Sequence, residues 1–260
     1  MLKKFMLGIV AANVIAISGC TTFADFAGAD TATLNATASQ GFTKMKTEAQ
    51  QKGVLDTSSS TYRRINNIMQ RMIPYANQLN QTGQPFQWQL AVLKQDTVNA
   101  YVAPGGKVVF YTGIVNKLNL SDDEIAAVMG HEMTHALEEH SKSKIGAEGL
   151  TSLAINLGKA YGGQTVGQFG SVLDLGGQIG VGLPYSRNLE SRADHGGLLL
   201  MAKAGYNPQA AITLWQKMNR LDGGAGGPAF LSTHPTNTQR IQEMQKNLPA
   251  AMAIYNSRKN

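Results

Sequence analysis

The sequence predicts an α+β fold, mainly helical, with a small β-sheet or hairpin packed beside one central helix. Three observations carry this. Apolar residues recur at intervals of three and four from Tyr62 to Leu79, two strand-like runs flank a Pro-Gly-Gly turn, and a capped apolar helix opens at Ser121. At 260 residues with 43% apolar content, the chain can bury a real core and is neither disordered nor fibrous.

The first segment differs in kind. A basic start, Met1-Leu2-Lys3-Lys4, precedes an apolar run from Phe5 to Ile17 and the small-residue boundary Ser18-Gly19-Cys20. Residues 1–19 are therefore expected to be a secretory signal peptide. The run is too short to span a bilayer, and later apolar stretches are broken by glycines and polar residues, so a polytopic membrane protein is not expected. Cys20 is the only cysteine, which rules out an intrachain disulfide and a thiolate metal site. Ile17-Ser18-Gly19-Cys20 resembles a bacterial lipobox, making Cys20 the expected acylated first residue and lipid the expected route to a membrane. Thr21, rather than aspartate, follows the cysteine, which by the same resemblance favours the outer membrane of a Gram-negative bacterium, on its periplasmic face.

Loss of Lys3 and Lys4 would lower the formal charge from +6 to +4. Basic residues are spread along the chain rather than clustered with aromatics, so no nucleic-acid partner is expected. Residues 20–40, rich in Ala, Thr, Ser, Asp and Gly, are expected to be a flexible tether, leaving 41–260 as the folded domain.

Within that domain, the helix from Tyr62 to Leu79 should be kinked or interrupted at Pro74. Trp88 to Leu93 is expected to be a strand. Val98 to Val102 and Lys107 to Tyr111, on either side of Pro104-Gly105-Gly106, form an expected hairpin. Ser121 followed by Glu124 is a capping box in front of Ile125-Ala126-Ala127-Val128-Met129. Glycine-rich but apolar sequence from Gly146 to Gly182 predicts loosely packed helices with breaks. Two more helices are expected over Leu189 to Ala204 and Pro208 to Leu221, a loop over Asp222 to Pro228, and a last helix from near Pro235 through Arg240 and Ile241.

The chemistry concentrates on the capped helix. His131-Glu132-Met133-Thr134-His135 places two imidazoles four residues apart, on one face and one turn apart, where they can share one metal ion. Glu132 lies beside them, placed to take a proton from a water activated by zinc without itself ligating. Catalytic zinc takes three protein ligands and keeps one open position. The candidate third ligand is Glu190, and Asp194, one turn further on, can orient a ligating imidazole. His140 lies five residues after His135, not at the metzincin spacing, and is expected to be a helix-end histidine; His195 would point away from Asp194 and is expected to be structural. One Zn2+ per chain is expected.

Five ordered blocks then resemble the M48 family of zinc metallopeptidases, and within it the small periplasmic lipoprotein members. They are Val98 to Gly106, Tyr111-Thr112-Gly113, the His131 to His135 motif, Glu190 to Asp194, and Ser232-Thr233-His234-Pro235 followed by Arg240. The resemblance implies a zincin-like metallopeptidase domain and agrees on Glu190. It also implies that His234 hydrogen-bonds the developing oxyanion, that Arg240 is a buried partner for a site carboxylate, and that Asn99 and Ala100 form a strand edge where substrate backbone pairs. The implied activity is endopeptidase cleavage of unfolded or misassembled envelope proteins. The alternative is an envelope assembly or chaperone-like lipoprotein whose zinc site is shut and weakly active. Oligomeric state is not legible.

Overall fold

The computed structural model describes residues 20–149, 184–221, 229–235 and 238–258. The expected signal peptide and most of the glycine-rich segment lie outside these residues, as does the 222–228 loop. The architecture is mostly helical around one four-stranded mixed sheet. Helix α1 (20–26) leads into α2 (Thr31–Gln51), α3 (Ser60–Leu79), α4 (Thr112–Lys117), α5 (Asp122–Leu137) and α6 (140–149). After the gap come α7 (Arg187–Lys203), α8 (Gln209–Leu221), α9 (Ala229–Thr233) and α10 (Thr238–Ser257). The strands are β1 (Leu55–Asp56), β2 (Gln89–Leu93), β3 (Ala100–Ala103) and β4 (Lys107–Tyr111).

Strand order is β1-β2-β4-β3, with β2 parallel to β4 and the other pairs antiparallel. The hairpin forms as the turn chemistry predicts. Gly105 and Gly106 both have positive φ, and a Cβ on Gly106 would lie 2.8 Å from the Trp88 ring, so this turn needs glycine twice over. β3 is left at the open edge of the sheet, facing α5.

α5 begins with the predicted capping box. Ser121 Oγ accepts from the Glu124 N–H, and the Ser121 N–H donates to Glu124 Oε2 at 2.8 Å. Glu124 is itself buried and ion-paired with Lys217 of α8 at 2.7 Å. From Glu124 to Leu137 every residue of α5 is buried, so this helix is the axis of the core instead of a surface helix with one wet face. Ile65, Ile68, Met69 and Met72 of α3, Leu198 and Met201 of α7 and Trp215 of α8 pack in the same core.

Two expectations change. α3 runs through Pro74 without a break, because Met72 and Ala76 on either side are both buried in the core and hold the helix across the lost hydrogen bond. The expected tether is helical, and α2 runs straight through the expected boundary at residue 40. Asp30 caps α2 by accepting from the Thr33 N–H at 3.0 Å. Leu34, Ala38, Phe42 and Ala49, spaced four, four and seven apart, form its buried stripe. Phe42 and Ala49 pack on Ala91, Leu93 and Val109 of the sheet, while Leu34 meets Ala24, Ala29 and Ile145. Half of the stripe is alanine, which gives it little hydrophobic periodicity in the sequence.

Candidate metal centre

α5 supplies His131, Glu132 and His135, all at or below 3% exposure. What brings the candidate third ligand to them is a close helix crossing. α5 and α7 make the most extensive contact between elements among the described residues, at paired glycines. A Cβ on Gly197 would lie 2.8 Å from the His131 nitrogen, and one on Gly130 would lie 2.8 Å from the Gly197 oxygen. Only glycine lets the two backbones approach so closely. Glu190 sits in the first turn of α7, behind the Ser186 N-cap, and the crossing delivers it against His135.

His234, which follows α9, completes the cluster. Ligand atoms of His131, His135, Glu190 and His234 all lie within 4.8 Å of one another, and all four side chains are buried. The two helix histidines face each other through Nε2 at 3.1 Å. Glu190 Oε1 lies 3.2 Å from His135 Nε2, and Glu190 Oε2 lies 3.6 Å from His131 Nε2. His234 Nδ1 is 3.2 Å from His131 Nε2 and 2.9 Å from Glu190 Oε1. Tetrahedral zinc with bonds of about 2.0–2.1 Å to nitrogen sets its ligand atoms about 3.3 Å apart, which these separations match. The donor set, nitrogen and carboxylate oxygen without sulfur, also suits zinc.

Glu132 stands beside the cluster without joining it. Its Oε1 is buried without a hydrogen bond, 3.3 Å from His234 Nε2, while the Val102 backbone of β3 braces the carboxylate. Burial raises its pKa above the ordinary carboxylate value, partly offset by His234 and His131. Glu190 is pulled the other way: burial opposes ionisation, but His234, His131 and His135 hold its pKa well down. The helix histidines also diverge. Burial would depress both; Glu190 and Asp194 lift His131 above the ordinary value, whereas His135, among neighbouring histidines, falls well below it.

Asp194 lies 3.0 Å from His131 Nδ1, so of the two histidines it could have served, the structure pairs it with His131. Arg240 of α10 donates to both Asp194 oxygens at 2.8 Å, to the Pro235 carbonyl at 2.7 Å, and lies 2.6 Å from Glu190 Oε2. Its guanidinium also stacks 4.1 Å from the Trp215 ring. Asn99 and Ala100 are buried at the start of β3, with the Ala100 N–H donating to Asn99 Oδ1 at 3.0 Å. Cys20 is not part of the metal cluster; with Lys144, Tyr185 and Leu189 it lines a separate cavity. His195 is exposed.

Two neighbours of His135 lie outside the expected set of site residues. Tyr185 stacks on the His135 ring with centroids 4.1 Å apart, and no local pattern marks it. His140 is fully buried, its Nδ1 2.8 Å from His135 Nδ1. Burial holds its pKa below the usual histidine value although Glu138 acts against this.

Comparison with known proteins identifies relatives of the chain. The family described as "Peptidase family M48" matches residues 59–248. The chain is similar to mitochondrial metalloendopeptidase OMA1 of Schizosaccharomyces pombe, 38% identical over 63% of this chain and 48% of that protein. It is also similar to two metalloproteases of Escherichia coli, LoiP (27% identical, 69% of this chain, 70% of LoiP) and YcaL (29%, 82% and 79%). The matched part spans about half the length of the OMA1 relative.

Proposed function

Since the chain belongs to peptidase family M48, we propose that it is a zinc-dependent endopeptidase of the bacterial envelope, cleaving unfolded or misassembled polypeptides. The observation that carries this reading is the convergence of His131, His135, Glu190 and His234, whose ligand atoms lie within 4.8 Å of one another, with the unbonded Oε1 of Glu132 alongside. His131, His135 and Glu190 would hold the metal. When bound, zinc acidifies a water and polarises the scissile carbonyl.

The chain's own groups do the remaining work. Glu132 takes the proton from the attacking water and passes it to the leaving amine; its raised pKa suits a base that must also act as an acid. Asp194 orients His131, and the positive charge of Arg240, with its two donated hydrogen bonds, keeps Asp194 ionised although burial opposes this. Substrate backbone would align along the open edge of β3, as extended peptides do on free sheet edges. At Asn99 and Ala100 the Ala100 N–H is already taken by the Asn99 side chain, so pairing there would use the Ala100 carbonyl. Acylation at Cys20 would hold the protein to the outer membrane. Among the described residues no helix is long and apolar enough to cross a membrane.

His234 supports a second reading. Its Nδ1 stands inside the ligand ring, where it could close the fourth position and leave an envelope assembly factor with a shut, weakly active site. Its family-implied role is instead to stabilise the oxyanion, worth about 10²–10³ in rate. Cleavage of an unfolded protein by the zinc-loaded enzyme separates these. Glu132→Gln should abolish hydrolysis under either reading, and equal residual rates in wild type and Glu132→Gln would sink the enzymatic claim. A His234→Ala variant that is slower supports the oxyanion role, and one that is faster supports the shut site.

A further inference from the structure

A ligating imidazole works best when its second ring nitrogen is held, because that fixes both tautomer and ring orientation. The two helix histidines are held by different chemistry. His131 Nδ1 faces the Asp194 carboxylate. His135 Nδ1 faces another imidazole, Nδ1 of His140, at 2.8 Å.

Two ring nitrogens at that distance can share one proton between them. If His135 gives Nε2 to the metal, its proton is on Nδ1 and it must be the donor. His140 Nδ1 must then accept, which puts the His140 proton on Nε2, where Glu138 Oε2 lies 3.2 Å away. The same Glu138 oxygen is 2.6 Å from Arg192 Nη2. One proton assignment satisfies every link, running from His135 through His140 to Glu138 and Arg192. Arg192 lies two residues after Glu190, so the chain also ties the end of α5 to the helix that carries the third ligand.

The backbone bends to make this contact. On an unbroken helix His140 would project about 140° away from His135 around the axis. Instead α5 stops at Leu137, and Glu139 takes φ of 52°, a left-handed conformation uncommon outside glycine. The Thr31 hydroxyl donates to Glu139 Oε1 at 2.5 Å and supports the bend. α6 then starts at residue 140 with the imidazole turned back onto His135.

We infer that His140, backed by Glu138 and Arg192, is a positioning residue that fixes the tautomer and orientation of His135 for metal binding. This rests on the zinc reading above. The test is zinc affinity, measured by competition with a chelator of known strength, together with the unfolding temperature of the zinc-free protein. Four full-length forms are compared: wild type, His140→Ala, His140→Asn and Glu138→Gln. Asparagine keeps an acceptor oxygen near the Nδ1 position.

His140→Ala should weaken zinc binding about 10–100-fold, Asn should restore most of that loss, and Glu138→Gln should give a smaller loss. Unchanged affinity in His140→Ala overturns the inference, and so does an Asn variant as weak as Ala. A loss accounted for by an equal fall in zinc-free stability makes His140 merely structural and also overturns it. If His140→Ala does not fold, Glu138→Gln decides, and wild-type affinity there sinks the relay. A wild-type protein that binds no zinc overturns the metal reading itself, and this inference falls with it.

Discussion

The guanidinium of Arg240 lies against two buried carboxylates, 2.8 Å from both oxygens of Asp194 and 2.6 Å from Glu190. Each carboxylate in turn faces a histidine of α5. Removing the cation would leave negative charge unpaired in a dry site, which typically costs about 3–5 kcal/mol. We expect Arg240→Met to lower the unfolding free energy of zinc-free protein, measured by denaturant titration, by that order, and an unchanged value would show that the charges are solvated. Helix spacing offers Asp194 either histidine, since it fixes a face but not a partner, and the fold selects His131. His140 shows the limit of that reasoning: its five-residue spacing excludes contact with His135 on a regular helix, and the contact exists because the helix ends at Leu137.

At the scale of single elements, α2 and α7 place glycine under opposite demands. Gly41 sits exposed in α2 with nothing within 4 Å of a built Cβ, so Gly41→Ala should stabilise the protein by about 0.5–1 kcal/mol, read as a higher melting temperature. Gly197 lies in the α5–α7 crossing, where a Cβ would meet His131 backbone at 2.8 Å. Gly197→Ala should therefore destabilise by about 1–3 kcal/mol and weaken zinc binding as α7 carries Glu190 outward. Equal melting shifts for the two alanines would show that the crossing is not tight.

The cap of α5 adds a pH dependence. Burial opposes ionisation of Glu124, but Lys217, the Ser121 N–H and Thr213 hold its pKa below 4.5. Its contribution is thus complete above about pH 4.5 and is lost as pH falls through the depressed value. Glu124→Gln should cost about 1–3 kcal/mol at pH 7, with the gap to wild type narrowing in acid melts. A gap that widens in acid would reverse this assignment.

Across the whole molecule, α2 is part of the fold. Phe42 is buried against Ala91, Leu93 and Val109, on the face of the sheet away from the metal-bearing core. Phe42→Ala should cost about 3 kcal/mol in chemical unfolding, whereas a loosely attached segment would make the change silent. The sequence by itself determined the local features: the capping box, the glycine turn of the hairpin, the histidine pair His131 and His135 on one helix face, and the carboxylates of α7. Each depends on neighbours within about one helical turn or one tight turn, so spacing is enough to specify it. Only the tertiary structure decided which imidazole Asp194 supports, how α2 is used, and that His140 and Tyr185 adjoin His135. Those outcomes depend on a glycine crossing, a left-handed residue at Glu139 and a half-alanine stripe, whose effect comes from how distant segments pack rather than from periodicity along the chain.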